Sequence, residues 1–246
     1  MDMYRAPVED MNFLIDEVLD AENVLGTIPD FAEFGVGPEL TTALVDEAAK
    51  LAGDVLAPLR RVGDEKPAVC ADGAVTASPG YDAALQQLGA GGWVGISSDP
   101  NYGGQGLPEI YNTVGHEMWN AANMALGLAP MLSSGAALAI HAHGTEAQKQ
   151  TYLEKMHTGE WMGTMNLTES GAGSDLGVMK CKAVPEGDHY RISGQKIYIT
   201  WGDHQATDNI IHLVLAKLPD APAGSRGISL FIVPKFLVNE DGSLGE

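Results

Sequence analysis

The amino-acid sequence predicts an α+β protein in which a helical amino-terminal part precedes a β-rich part. Up to about residue 160, apolar residues recur at the three- and four-residue spacing of amphipathic helices. After that point, β-branched and aromatic runs alternate with glycine and aspartate, which is typical of strands and turns. Because the two patterns are segregated along the chain, we expect an α+β order rather than alternating βα units.

Two helices are predicted before residue 60. The segment PVEDMNFLIDEVL places five apolar residues at helical spacing, namely Met11, Leu14, Ile15, Val18 and Leu19. The segment GPELTTALVDEAAKLAGDVLAPL has Pro38 at its start, and proline is favoured in the first turn of a helix. Its apolar positions follow the same spacing: Leu40, Leu44, Ala48, Leu51 and Val55.

The segment 60–80 is rich in glycine, proline, aspartate and alanine and is predicted to be a loop. In TEAQKQTYLEKMHTGEW, Thr145 and Gln148 have the spacing of a capping box, and we expect this helix to end near Gly159. The segments VMKCKAV, HYRISGQKIYITWG, NIIHLVLAKL and RGISLFIVPKFLV indicate strands. The remaining predictions are helices over 81–88, 109–125 and 130–143 and a loop over 99–108.

The charge of the sequence limits its partners. With 14 Lys and Arg against 33 Asp and Glu, the net charge is −19 and the pI is about 4.5. A surface this acidic repels phosphate backbones and anionic lipids, so we expect no nucleic-acid partner and no membrane partner. An anionic small molecule can still bind where its phosphates meet helix termini or local basic side chains.

Three further features indicate a soluble cytoplasmic protein. The amino terminus lacks the basic region and apolar run of a signal peptide. The most apolar stretch, MALGLAPMLSSGAALAIHAHG, is interrupted by Pro130 and two serines, which favours buried helices over a membrane span. Cys70 and Cys181 lack the spacing of a disulfide or zinc framework and are predicted to be free thiols.

The histidines do not indicate a metal site. His141 and His143 lie two residues apart on a predicted helix and therefore point to different faces. A helical metal pair needs a spacing of four. We expect no metal.

The segment WMGTMNLTESGAGSDLGVMKCKA contains a candidate ligand-binding loop, SGAGSD, at residues 170–175. A dinucleotide fingerprint would need a glycine where Leu176 stands, and a phosphate loop would need Gly-Lys-Ser/Thr. A nucleophile elbow would need glycines two residues before and two residues after Ser174, where Ala172 and Leu176 stand. The local pattern leaves two alternatives. One is a plain β-turn, and the other is a loop whose backbone, with the Thr168 and Ser174 hydroxyls, holds an anion or cofactor.

Three segments taken together resemble the amino-terminal half of an acyl-CoA dehydrogenase. They are NYGGQGLP, GTEAQKQTYLEKMHTGEWMGTMNLTESGAGSDLG and YRISGQKIYITWGDH, and the resemblance covers about residues 80–235. The amino-terminal segment MYRAPVEDMNFLIDEVL is similar to the extension of a larger-subunit branch of the family, which includes dehydrogenases of 3-(methylthio)propanoyl-CoA. The resemblance implies a helical extension at 1–37, a helical domain at 38–160, and a truncated, antiparallel, barrel-like β domain at 161–246.

The resemblance implies FAD as the cofactor and assigns residues to its pocket. The Thr168 hydroxyl would face the pyrimidine edge of the isoalloxazine ring, and Thr200 would lie near flavin N5. Ser174 would lie near both the flavin and the pantetheine arm of the acyl-CoA substrate. The full set implied to bind the cofactor is Met165, Asn166, Leu167, Thr168, Gly173, Ser174, Tyr198, Ile199 and Thr200.

The chain departs from the family pattern at two positions. Ser170 stands where proline is usual, and Tyr198 where tryptophan is usual. Tyrosine keeps an aromatic face for the flavin ring, so we expect binding to survive. Serine leaves the φ angle of the turn less restricted than proline would.

The resemblance also implies a reaction, in which a carboxylate removes the α-proton of an acyl-CoA and the β-hydride passes to the flavin to give a trans-2-enoyl-CoA. Electron-transfer flavoprotein is the implied acceptor, and a homodimer or homotetramer is implied. The family's catalytic glutamate lies in a carboxyl-terminal helical domain. We therefore assign no catalytic residue within 1–246, give Glu169 a structural role, and expect this chain alone to be inactive. A non-catalytic flavin- or acyl-CoA-binding module and an acyl-CoA oxidase remain alternatives.

Overall fold

A computed structural model describes residues 4–32 and 35–245, so residues 1–3, 33 and 34 of the predicted extension lie outside it. Met11 and Ile15 are buried as expected, but Leu14, Val18 and Leu19 are more than half exposed. A widened π-type turn interrupts the helix, and it changes the angular spacing of the side chains that follow. The elements here are α1 (Val8–Phe13), the π-type turn (Leu14–Val18), α2 (Ala21–Gly26) and α3 (Pro29–Ala32).

The second predicted helix is confirmed, and Pro38 is its first residue. It runs on further than expected, to Glu65, so the loop predicted from residue 60 begins later. That loop contains a hairpin whose two turn residues, Asp72 and Gly73, have φ of 51° and 79°, as a type I′ turn requires. The elements are α4 (Pro38–Lys50), a π-type turn (Leu51–Leu56), α5 (Ala57–Glu65), β1 (Val69–Ala71) and β2 (Ala74–Thr76).

After α6 (Tyr81–Ala90), the two helices predicted over 109–143 form one kinked helix, α7 (Glu109–His143). The break lies at Asn123, whose φ of −158° and ψ of 87° are not helical, and Pro130 does not end the helix. The buried Asn123 amide stabilises the kink. Its oxygen accepts from the backbone nitrogen of Leu126, and its nitrogen donates to the carbonyl of Leu56.

Helix α8 (Glu146–His157) confirms the predicted capping box. The Thr145 hydroxyl accepts from the backbone nitrogen of Gln148, and the Gln148 side chain accepts from the Thr145 nitrogen. The chain then turns at Gly159, which has a φ of 76°. Both ends of this helix were therefore predictable from a few adjacent residues.

The β-rich part is a five-stranded mixed sheet. Its strand order is β3-β6-β4-β5, with β7 also paired to β6. The antiparallel expectation is wrong for β3, which pairs with β6 in parallel, and the described strands do not close into a barrel. The strands are β3 (Trp161–Asn166), β4 (Lys182–Glu186), β5 (His189–Ser193), β6 (Asn209–Lys217) and β7 (Ile228–Pro234).

Two predicted strand segments are shorter than expected. In the segment VMKCKAV, which is residues 178–184, Val178 ends a 3-10 turn (Leu176–Val178) and strand β4 begins only at Lys182. β5 ends at Ser193, and the following segment GQKIYITWG, residues 194–202, is not strand. The backbone there reaches positive φ at Tyr198 and Trp201, which is incompatible with an extended strand.

Helix α7 connects the helical part to the sheet. Gly163 of β3 donates its backbone N–H to the Ser133 hydroxyl of α7 at 3.0 Å. A Cβ atom on Gly163 would lie 2.6 Å from the Ala136 Cβ, so small residues permit this close approach. By length and composition α7 could cross a membrane, but 44% of its most apolar window is buried within the protein.

Candidate functional site

Hydrogen bonds join the two segments that the sequence assigned to one pocket. The backbone nitrogen of Ile197 donates to the carbonyl of Thr168 at 3.0 Å. The Lys196 ammonium donates to the carbonyl of Leu167 at 2.9 Å and to a Glu169 carboxylate oxygen at 3.0 Å. These contacts place residues 167–169 beside residues 196–197, so the two segments form one continuous wall.

Within this wall, Glu169 and Lys196 form a buried ion pair, and each side chain is 8% exposed. The carboxylate also accepts from the backbone nitrogens of Lys180, at 2.6 Å, and Cys181, at 3.0 Å. Burial alone would raise the pKa of Glu169, but these donors and the ammonium outweigh it and lower the pKa to about 2. A carboxylate held in this way is a weak base, and its role is structural.

The loop SGAGSD begins with a tight turn. The backbones of Glu169 and Ala172 exchange two hydrogen bonds of 3.0 Å around Ser170 and Gly171. Neither Gly171 nor Gly173 has a positive φ, and a Cβ atom on either would meet nothing within 4 Å among the described residues. The turn itself therefore does not need these glycines, whereas a ligand approaching the open backbone would.

The remaining predicted residues precede the turn, follow it or lie in the second segment. Met165 and Asn166 end β3, and the side-chain amide oxygen (Oδ1) of Asn166 accepts from the Thr164 hydroxyl at 2.6 Å. Among the described residues, no hydrogen bond links Gly173 or Ser174 to the second segment. Half-buried positions are Met165, Asn166, Leu167, Thr168, Ile199 and Thr200, whereas Gly173, Ser174 and Tyr198 are exposed.

The second segment carries an exposed aromatic ring on a constrained backbone. Tyr198 is 90% exposed and has a φ of 57°. Trp201 has a φ of 54°, and a hydrogen bond from Gly202 to the Ile199 carbonyl closes the turn between them. Bulky residues rarely adopt positive φ, and such strain is concentrated at functional sites.

The sequence analysis did not assign Trp201 to the site, although it lies in the segment YRISGQKIYITWGDH. Its indole nitrogen donates to the Ala125 carbonyl of α7 at 2.9 Å. Its ring stacks on Tyr81, the first residue of α6, with centroids 6.1 Å apart and planes at 22°. Trp201 therefore positions the Tyr198–Thr200 segment against the helical part. A tryptophan at the end of a strand-like run was the available signal.

One of the two histidines that were considered for a metal, His141, has a carboxylate partner. His141 lies 3.1 Å from the Asp99 carboxylate. Within residues 4–32 and 35–245, no group of three or more His, Cys, Asp or Glu side chains could hold a metal ion.

Comparisons with known proteins identify the family. The model of the acyl-CoA dehydrogenase N-terminal domain matches residues 39–160, and that of the middle domain matches residues 164–242. A 3-methylmercaptopropionyl-CoA dehydrogenase of Ruegeria pomeroyi is 42% identical over 244 residues, which are 99% of this chain and 41% of that relative. The chain belongs to the acyl-CoA dehydrogenase family and comprises the family's amino-terminal and middle domains.

Solved structures share the fold. An acyl-CoA dehydrogenase from Geobacillus kaustophilus has a TM-score of 0.66 and 28% identity, over 81% of this chain and 49% of that one. A chain from a structure of the electron transferring flavoprotein of Acidaminococcus fermentans has a TM-score of 0.63 and 29% identity, over 78% and 47%. This chain spans about two fifths of the length of the curated relatives that it matches.

Proposed function

We propose that this chain is the FAD-binding portion of an acyl-CoA dehydrogenase that converts an acyl-CoA thioester to a trans-2-enoyl-CoA. The proposed substrate is 3-(methylthio)propanoyl-CoA, because the relative with that activity is 42% identical over nearly the whole chain. The proposed organisation is an extension at 1–37, a helical domain at 38–160 and a β domain at 161–246.

The observation that carries this proposal is the wall formed when Thr168 and Ile197 pair. Next along the chain from the wall are an exposed aromatic ring, Tyr198, and the open backbone of Gly171 and Gly173. A flat ring system can lie against an aromatic face, and its polar edge can approach backbone that lacks Cβ atoms. The residues present therefore fit an isoalloxazine ring.

Bound FAD would supply the acceptor for the hydride that leaves the β-carbon of the substrate. The Thr168 and Thr200 hydroxyls, with neighbouring amides, would hold the polar edge of the ring and stabilise negative charge that develops there. Tyr198 would cover one face and exclude water from it. Ser174, exposed beyond the turn, would contact the flavin and the pantetheine arm.

The catalytic base is proposed to lie outside this chain. Glu169, the carboxylate in the wall, is held by Lys196 and two backbone donors and is a weak base. Turnover would then require a further domain, and the 246-residue chain alone would be inactive. The proposal includes a cytoplasmic location, a homodimer or homotetramer, and electron-transfer flavoprotein as acceptor. Similarity to a chain from an electron transferring flavoprotein structure supports that acceptor.

The first test is a titration of the purified chain with FAD, in which the quenching of flavin fluorescence reports binding. Because stacked aromatic rings contribute about 0.5–1.5 kcal/mol, Tyr198→Ala should weaken FAD binding roughly twofold to tenfold. Tyr190→Ala is the matched control, since Tyr190 is 47% exposed on β5, outside the wall. Equal FAD affinity in the wild type and Tyr198→Ala would contradict this assignment of the flavin face.

A second experiment separates the binding role from catalysis. The FAD-loaded chain is mixed with 3-(methylthio)propanoyl-CoA, butanoyl-CoA or octanoyl-CoA, and a dye acceptor reports turnover. We expect thioester binding without turnover, with preference for the methylthio substrate. Dye reduction by the chain alone would overturn the proposed location of the base. Thioester binding by a chain that had bound no FAD in the first test would favour a non-catalytic module.

A further inference from the structure

The amino-terminal extension presents a strip of exposed apolar side chains. Six large apolar residues between positions 13 and 28 are more than a third exposed, and they make up a third of all such residues in the part of the chain that the structure describes. Single apolar residues are common on a protein surface, but a concentration of this kind marks an interaction site. The residues of this apolar strip are Phe13, Leu14, Val18, Leu19, Val24 and Ile28.

The opposite face of the extension is packed into the helical core. Met11, Ile15 and Ala21 are at most 4% exposed. They belong to the same buried cluster as Val45 and Ala48 of α4. The apolar strip therefore lies on the outer face of a segment whose inner face is already held in place.

The charged side chains around the apolar strip all have the same sign. Residues 8–32 contain seven carboxylates and no lysine or arginine. Among the residues that the structure describes, none of these carboxylates belongs to an ion pair. An acidic partner would be repelled here, whereas a partner with lysine or arginine beside its apolar residues would be attracted. The seven carboxylates are Glu9, Asp10, Asp16, Glu17, Asp20, Glu22 and Asp30.

A relative that matches the extension is a much longer protein than the structures that share the fold. The family models begin at residue 39 and leave the extension out. The Ruegeria pomeroyi relative matches 99% of this chain with 41% of its own length, whereas the Geobacillus kaustophilus structure matches 81% with 49%. Because the first matches more residues with a smaller share of itself, it is longer by far more than the extension adds. In that relative, the extension accompanies sequence that residues 1–246 do not contain.

We propose that the apolar strip is the docking surface for a segment of the full-length protein outside residues 1–246. The docked segment is amphipathic, with apolar side chains between lysine or arginine residues. The proposal rests on the proposed function only in taking this chain as one portion of a longer protein. Docking buries the apolar strip, gives the carboxylates around it partners of opposite charge, and fixes the extension against the rest of the protein.

The experiment measures how fast a thiol in the apolar strip reacts with iodoacetamide. Val18→Cys is introduced into the full-length protein, expressed from the natural gene, and into the 246-residue chain. Both also carry Cys70→Ser, because Cys70 is exposed and would react. Peptide mass spectrometry identifies the labelled position. We expect labelling to be roughly tenfold slower or more in the full-length protein, because the docked segment must open before the reagent enters.

Val69→Cys is the matched control, because Val69 on β1 is 58% exposed and Val18 is 57% exposed. Its thiol should react at the same rate in the two proteins. Equal rates for Val18→Cys in both proteins would overturn the proposal, since the apolar strip would then stay open. Slow labelling of Val18→Cys in the 246-residue chain that is relieved by dilution would also overturn it, because a second copy would then be the occupant. Equal slowing of both thiols in the full-length protein would show general occlusion and would contradict specific docking.

A second comparison tests the basic character of the docked segment. Glu17→Gln with Glu22→Gln removes two exposed carboxylates near the apolar strip. In the full-length protein this pair should speed labelling of the Val18→Cys thiol roughly twofold to tenfold, because two surface ion pairs are lost. Glu186→Gln with Asp188→Asn, on the β4–β5 hairpin, should leave the rate unchanged. No acceleration by the first pair would overturn the proposed basic residues. Labelling needs neither FAD nor turnover, so its outcome is independent of the FAD titration.

Discussion

The buried Glu169–Lys196 pair is the most informative place to perturb this protein. Glu169→Gln keeps the shape of the side chain but removes its charge, leaving the Lys196 ammonium, 8% exposed, without its counter-ion. Breaking a buried pair from one side is strongly destabilising, because the remaining charge stays desolvated. The substitution should also loosen the contact between residues 167–169 and residues 196–197, where the proposed flavin wall is joined.

The size of the effect follows from the pKa of Glu169. A fall from 4.5 in the unfolded chain to about 2 in the folded one corresponds to roughly 3 kcal/mol of stability at pH 7. The folded carboxylate binds a proton more weakly than the unfolded one. Its contribution is therefore complete above about pH 4.5 and is lost as the pH falls towards 2. By pH 3.5 the wild type should have lost roughly 1 kcal/mol of it.

Urea unfolding of the wild type and Glu169→Gln, repeated between pH 7 and pH 3.5, measures this contribution. The difference in unfolding free energy should be roughly 3 kcal/mol at pH 7 and should shrink to roughly 2 kcal/mol at pH 3.5. Glu186→Gln is the control, because Glu186 pairs with Arg191 at 2.6 Å but both side chains are solvent-exposed. That variant should lose at most about 1 kcal/mol. A difference for Glu169→Gln below about 0.5 kcal/mol at pH 7, or one independent of pH, would refute the reasoning.

Three further substitutions test the packing, each by the free energy of urea unfolding. Thr145→Ala removes the capping hydroxyl of α8 and should cost about 1 kcal/mol, whereas Thr145→Ser should restore most of it. Gly163→Ala puts a Cβ atom 2.6 Å from the Ala136 Cβ and should cost about 1–3 kcal/mol; wild-type stability would show that β3 can shift from α7. Trp201→Phe keeps an aromatic ring but loses the bond to the Ala125 carbonyl, which should cost about 1 kcal/mol; no loss would mean that water replaces this bond.

Local sequence signals predicted those elements whose ends depend on adjacent residues. The capping box at Thr145 and the proline at the start of α4 are of this kind. The Asp72-Gly73 hairpin was also encoded locally, and the composition of segment 60–80 obscured it. By contrast, the kink at Asn123 depends on a carbonyl of Leu56, 67 residues away, so helical periodicity alone could not locate it.

Strand pairing likewise has one part that the local sequence predicts and another part that it does not. The apolar run of β6 was predicted, but alternation within a strand carries no information about the direction of its neighbour. β3 lies parallel to β6, with Trp161 opposite Asn209, after a connection that includes the turn, β4 and β5. β3 also packs on α7 through Gly163 and Ser133, and only the folded chain brings those two residues together.

By itself, the sequence determined the helical-then-β order, the main helices and the family, together with the two segments proposed to hold the flavin. These depend on residue types at short spacing and on motifs read in order. Only the tertiary structure decided that Lys196 meets Glu169 across 27 positions and that Trp201 reaches Ala125 across 76. The contact between the Trp201 ring and the buried His204 ring is likewise a product of the fold. The physical reason is that burial and pairing depend on neighbours in space, which residue spacing along a chain does not specify.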